Sequence, residues 1–140
     1  MTHRASTEDQ EFRRAFEAFE IAPEDFGHRA HLRLAYVYLC ELSVDDAHDA
    51  MKRSLLAFLT HLGIGEAKYH ETLTRAWIMA VRHFMARTPT SVSADDFIDR
   101  NPILLDSKIM LSHYSTEVLF SVDARGRFVE PDLEAIPVYA

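Results

Sequence analysis

Apolar side chains return at helical spacing along most of the chain, and no long alternating run predicts a strand. Phe12, Ala15, Phe16 and Phe19 form a stripe on a first helix from about Thr7 to Glu20, with Thr7 and Gln10 placed to close a capping box. Pro23–Gly27 reads as a connection, and a second helix is expected from Phe26–His28 to Leu42. Ser43 with Asp46 caps a third, whose stripe is Ala47, Met51, Leu55, Phe58 and Leu62, and Gly63 suits its C-terminal end. A fourth begins after Gly65 and carries Tyr69, Leu73, Trp77, Ala80 and Phe84 to about Arg87, where Thr88-Pro89 stops it.

Further along, Ser93 with Asp96 caps a short fifth helix ending near Arg100. Pro102 suits the first turn of a sixth, through Ile103 to about Tyr114. Ser121–Arg127 has room for one or two helical turns. From Phe128 to Ala140 the pattern gives an extended tail that docks through Phe128, Val129, Leu133 and Ile136. The expectation is an all-α fold: a single antiparallel helical bundle of five to six helices with an extended C-terminal tail. Residues 1–140 read as one helical domain, with 1–5 and 134–140 as flexible or docked tails.

Composition narrows the classes of function. The apolar share of 48% and charged share of 26% suit a globular chain. A net charge of −7, with no basic run, argues against nucleic acid and anionic membrane surfaces as partners. No apolar stretch approaches the ~20 residues a spanning helix needs. The lone Cys40 can make no internal disulfide, and the first residues lack a signal-peptide core, so a cytoplasmic location is expected.

Chemistry concentrates in the histidines. His28 and His31 are three apart on the second helix and share a face with Leu32, Ala35, Leu39 and Leu42. His70 falls on the stripe of Thr74, Trp77, Val81 and Phe84. Three imidazoles and a hydroxyl are thus expected to project inward. His28, His31 and His70, with Glu71 or His113 nearby, would resemble three nitrogen ligands and an open position for a divalent metal such as Zn, Fe or Mn. If the site is catalytic, His70 and Glu71 are the candidate acid–base pair. Trp77, His113 and Tyr114 are the further candidate pocket residues. The structural alternative has the same imidazoles hydrogen-bonded to backbone or to Tyr36, Tyr38 or Tyr69.

Weaker features have plain readings. Asp25 caps the second helix or orients His28. His113 and Glu117 form a solvated pair at a helix end. Arg125 and Arg127 pair with Glu130, Asp132 or Glu134. Gly63-Ile64-Gly65 is a turn, since it lacks the strand and the Lys-Ser/Thr of a phosphate loop. His3, His48, His61 and His83 read as surface or flank residues. Ser115 lacks the context of a serine nucleophile.

Four segments together resemble an uncharacterised family of small helical bacterial proteins: Phe26-Gly27-His28-Arg29-Ala30-His31-Leu32, Tyr69-His70-Glu71-Thr72, His113-Tyr114-Ser115, and Phe128-Val129-Glu130-Pro131-Asp132-Leu133. The resemblance spans about Phe26 to Leu133. It implies one helical domain, draws attention to His28, His31, His70, Glu71, Thr72, His113 and Tyr114, and assigns no chemistry.

Two functions follow as expectations. One is a His-rich internal pocket binding a metal ion or small polar ligand, with catalysis an open extension. The other is a non-catalytic interaction or structural subunit, such as a homodimer. It rests on apolar residues expected to be exposed: Phe16, Phe19, Val44, Leu59 and Met79.

Overall fold

The computed structural model describes residues 3–137. Within them every regular element is helical. The α-helices are α1 (Thr7–Glu17), α2 (His28–Glu41), α3 (Val44–His61), α4 (Glu71–Arg87), α5 (Ala94–Arg100), α6 (Thr116–Leu119) and α7 (Val122–Gly126). Short 3-10 segments occupy Pro23–Asp25, Glu66–Lys68, Pro102–Leu105 and Ser107–Ser112. No described helix is long and apolar enough to cross a membrane.

The centre of the bundle is α2. Leu32 and every residue from Leu34 to Leu39 are buried, so this helix is enclosed on nearly all sides, as expected for one packed among α1, α3, α4 and α5. Only Leu42–Ser43 separate α2 from α3, which makes the two antiparallel neighbours. Two side-chain contacts mark the α3–α4 direction: Asp45 meets Arg75 at 2.8 Å, while His48 meets Glu71 at 3.0 Å. Ascending α3 therefore descends α4. Phe16, Phe26 and Phe58 close one end of the core with ring centroids 4.3 to 5.7 Å apart. Phe16 is thus core, at 1% exposure, and not the exposed residue its position suggests.

Local chemistry explains where the elements differ from the sequence pattern. The box that starts α1 is Ser6 with Asp9, one residue earlier than Thr7 with Gln10. Asp9 is almost fully buried because it does more than cap. Its carboxylate accepts from the backbone of Ser6 and Ala94, at 2.9 and 2.8 Å, and from Arg33 at 2.9 Å, joining α1, α2 and α5. The helix stops at Glu17 because Phe19 takes a left-handed backbone, φ 64°. The Glu20 and Phe19 N–H groups then close onto the Ala15 and Phe16 carbonyls in a Schellman arrangement.

The expected sixth helix is instead two 3-10 turns. Asp106 between them is extended, and its carboxylate accepts from the Lys108 N–H at 3.0 Å, starting a new turn. Ser115 caps α6, a turn the pattern does not announce. In the tail, Ile136 is buried with Ala76, Ala80, Met110, Tyr114 and Leu119 in a second core. Phe128 and Val129 are half-buried, whereas Leu133 is 59% exposed. Residues 1–2 and 138–140, parts of the two expected tails, lie outside the described residues.

Candidate functional site

A cavity of about 360 Å³ opens between α2, α3, α4 and the connection that precedes α4. Its walls are mostly apolar. Leu32 and Ala35 come from α2, Met51, Leu55 and Phe58 from α3, and Leu73, Trp77 and Ile78 from α4. His28, His31, Lys68, Tyr69, His70 and Thr74 supply the polar atoms. Five of the seven residues expected to form a pocket therefore line one space: His28, His31, His70, Thr74 and Trp77. His113 and Tyr114 do not. Tyr114 is fully buried in the second core, with its hydroxyl donating to the Val129 carbonyl at 2.6 Å. His113 follows the second of the paired 3-10 turns and bonds the Glu134 carbonyl through Nδ1 at 2.7 Å, holding the tail rather than pairing with Glu117.

The imidazoles have distinct duties. His70 precedes α4 instead of riding on it. Its Nδ1 accepts from the Leu73 N–H at 3.1 Å, so it is a side-chain cap, a task usually given to Ser, Thr, Asn or Asp. Its Nε2 lies 2.7 Å from the Leu119 carbonyl. A carbonyl can only accept, so Nε2 carries the proton and the ring is neutral. Burial, chiefly, and the Arg125 charge hold this imidazole below its ordinary pKa. Both ring nitrogens are spent, which corrects the reading of His70 as an acid–base group or ligand.

His28 and His31 each keep one nitrogen free. The Nε2 of His28 donates to the Leu104 carbonyl at 2.8 Å, and the Nδ1 of His31 meets the Gly27 carbonyl at 3.2 Å. The carbonyl places a proton on the bonded nitrogen of each ring, so in the neutral ring the remaining one, Nδ1 of His28 or Nε2 of His31, is an acceptor. Neither has a hydrogen-bond partner among the described residues, and neither is sealed from solvent. The rings are held by packing, His28 edge-on to Trp77 at 4.7 Å and His31 against Phe26 at 4.1 Å. Burial above all lowers the His31 pKa, favouring the neutral ring. Asp25 plays no part: it ends the 3-10 turn at Pro23–Asp25, and Gly27 occupies the cap position of α2 without a side-chain bond.

The metal set expected from His28, His31 and His70 is not assembled. Among the described residues no group of three or more His, Cys, Asp or Glu side chains is arranged to hold a metal ion. With both nitrogens of His70 engaged, at most two imidazole lone pairs face the cavity, too few for a Zn, Fe or Mn site of the expected kind.

Glu71, the other catalytic candidate, does not line the cavity and belongs to a polar network. Its Oε1 accepts from the Tyr69 hydroxyl at 2.6 Å and from His48 Nε2 at 3.0 Å, and Lys52 lies 3.6 Å from Oε2. Arg75 donates to the other nitrogen of His48 at 3.3 Å. Burial would raise the Glu71 pKa, but the Tyr69 and His48 bonds and the Lys52 charge outweigh it and hold the carboxyl low. His48 is buried, not a flank residue, because this network needs it. Arg125 and Arg127 also differ from expectation: Arg125 bonds the Ala67 carbonyl at 3.1 Å, and Arg127 pairs with Asp123 at 3.4 Å.

The pattern of the sequence concealed two wall elements. Met51, Leu55 and Phe58 read as plain core, and they are core residues bordering a gap. Lys68 gave no signal, since a lone lysine on a turn is ordinarily solvated. Comparison with known families, characterised proteins and solved structures gives no match for the chain, so the functional reading rests on the geometry of this site.

Proposed function

We propose that the chain binds a small molecule with an apolar body and a hydrogen-bond donor, in the cavity between α2, α3 and α4. One observation carries the reading: two imidazoles, His28 and His31, each with one ring nitrogen uncommitted, stand in the walls of a mostly apolar space. The volume falls within the range of ordinary ligand sites. It corresponds to roughly a dozen water molecules at about 30 Å³ each. Apolar walls supply affinity by burial, and the two acceptors select a hydroxyl or N–H over a plain hydrocarbon. Turnover is not part of the reading, because His70 and Glu71 are both consumed by the fold.

Trp77, the single tryptophan of the chain, lines the cavity and serves as reporter. In a fluorescence titration, 4-propylphenol is expected to give a saturable change, with propylbenzene about fivefold weaker, the loss of about one hydrogen bond. Ala35→Phe, which fills the space, should abolish the response while circular dichroism shows an intact helical fold. Thr74→Leu offers a milder narrowing. No saturable response to either compound, or the same response after filling, would remove the proposal.

A further inference from the structure

The cavity has one formal charge in its lining, and it is positive. Lys68 belongs to the 3-10 turn that forms part of the wall, and no Asp, Glu or Arg lines the space with it. It is exposed, and no hydrogen bond or ion pair ties it to any described residue. Glu66 shares its turn, but it does not line the cavity and no ion pair joins the two. Glu71 does not line the cavity and is matched by Lys52 at 3.6 Å. Arg125 brings its guanidinium to 3.1 Å from the carbonyl of Ala67, the residue before Lys68, and has no carboxylate partner among the described residues. In a chain of net charge −7, this edge of the cavity is therefore locally electropositive.

Building on the binding function proposed above, we infer that the natural ligand is an amphipathic carboxylic acid: an apolar, donor-bearing body inside the cavity and a carboxylate at its Lys68 edge. The chemistry divides the work. The N–H groups of His28 and His31 are already given to the Leu104 and Gly27 carbonyls, so a neutral ring there accepts from a hydroxyl or N–H, whereas an ammonium is a point donor suited to a carboxylate. Lys68 also stands where water can reach it, so its charge is never stripped of solvent before the ligand arrives. Arg125 reinforces the potential from behind without entering the cavity.

The test compares three compounds by calorimetry and Trp77 fluorescence: 3-(4-hydroxyphenyl)propanoate, its primary amide, and 4-propylphenol. The acid is expected to bind about fivefold more tightly than the amide at low salt, as for an exposed ion pair, with the margin shrinking at high salt. Lys68→Met should erase the margin, and Lys68→Glu should reverse it, the acid-to-amide ratio being read within each variant so that any change in the wall common to all three compounds cancels. Equal binding of acid and amide, or a margin indifferent to Lys68→Glu, overturns the charge assignment and leaves the cavity reading standing. Failure of all three compounds, 4-propylphenol included, takes down both.

Discussion

The Nε2–H of His70 donates to the carbonyl of Leu119, 49 residues on, while the Nδ1 of the same ring caps α4. One imidazole thus starts the helix that forms a cavity wall and fastens the α6 turn against it. Removing it should be costly for a residue outside the apolar core. His70→Ala is expected to lower stability by about 2–3 kcal/mol, the sum of a cap and a buried hydrogen bond. His70→Asn keeps an oxygen that can cap and should recover roughly 1 kcal/mol. Urea unfolding of the three proteins checks both, and a loss under about 0.5 kcal/mol for the alanine variant would show that the bonds are incidental.

The same ring gives stability a pH dependence of known sign. Burial, chiefly, holds the folded His70 below the 6.5 of a free imidazole, and His31 and His83 are lowered by burial as well. Between the folded and unfolded values the unfolded chain binds more protons, so stability falls as pH falls. This contribution is fully present above about 6.5 and is lost as pH drops through the folded values. The urea midpoint should decline on acidification from neutrality, and less so in His70→Asn. Identical slopes in the two proteins would assign the effect to other groups.

Glu71 works lower on the scale. The Tyr69, His48 and Lys52 contacts overcome burial and keep its carboxyl below the ordinary 4.5. Its contribution is present above that value and lost as pH falls through the lower folded value. Glu71→Gln should cost about 1–3 kcal/mol near neutrality, because the His48 ring and the Tyr69 hydroxyl lose a charged acceptor. A double-mutant cycle with His48→Ala should give a coupling of about 0.5–3 kcal/mol. A cycle that closes at zero would mean the two side chains are merely adjacent.

Cys40 is half-buried, and burial first of all pushes its thiol up to about 11. Since the thiolate is the reactive form, only about one thiol in a thousand is ionised at pH 8. Ellman's reagent should therefore label the native protein far more slowly than the urea-unfolded chain. Equal rates would place the thiol in open solvent.

Much of the fold was legible because each long helix carries its own start and stop. Ser43, Ser93 and Thr88-Pro89 mark boundaries through bonds within a few residues, and the structure keeps all three. His28, His31, Thr74 and Trp77 could be placed on a common interior because α2 and α4 hold a steady period through them. His70 misled because capping by imidazole is rare, so the helix expected from just after Gly65 overran the true start at Glu71, taking in a 3-10 turn and the cap. The segment after Pro102 was harder. Its 3-10 turns are fixed by Asp106, Ser115 and distant backbone carbonyls, and none of these leaves a periodic trace. The partners of His48 and Lys68 depend on how the connection before α4 runs along α3, which no local pattern encodes.

Long-range imidazole bonds recur beyond the cavity. His3 reaches the Met85 carbonyl at 2.7 Å, His28 reaches Leu104, and His70 reaches Leu119, across 82, 76 and 49 residues of chain. Such bonds close long loops, so the entropy of closure places their formation after the neighbouring helices α2, α3 and α4 have met. They are then largely absent from the rate-limiting barrier. In a chevron plot, replacing any of these rings should steepen the escape from the native state and barely slow the approach to it, leaving a protein that assembles at its usual pace but has a shorter native lifetime.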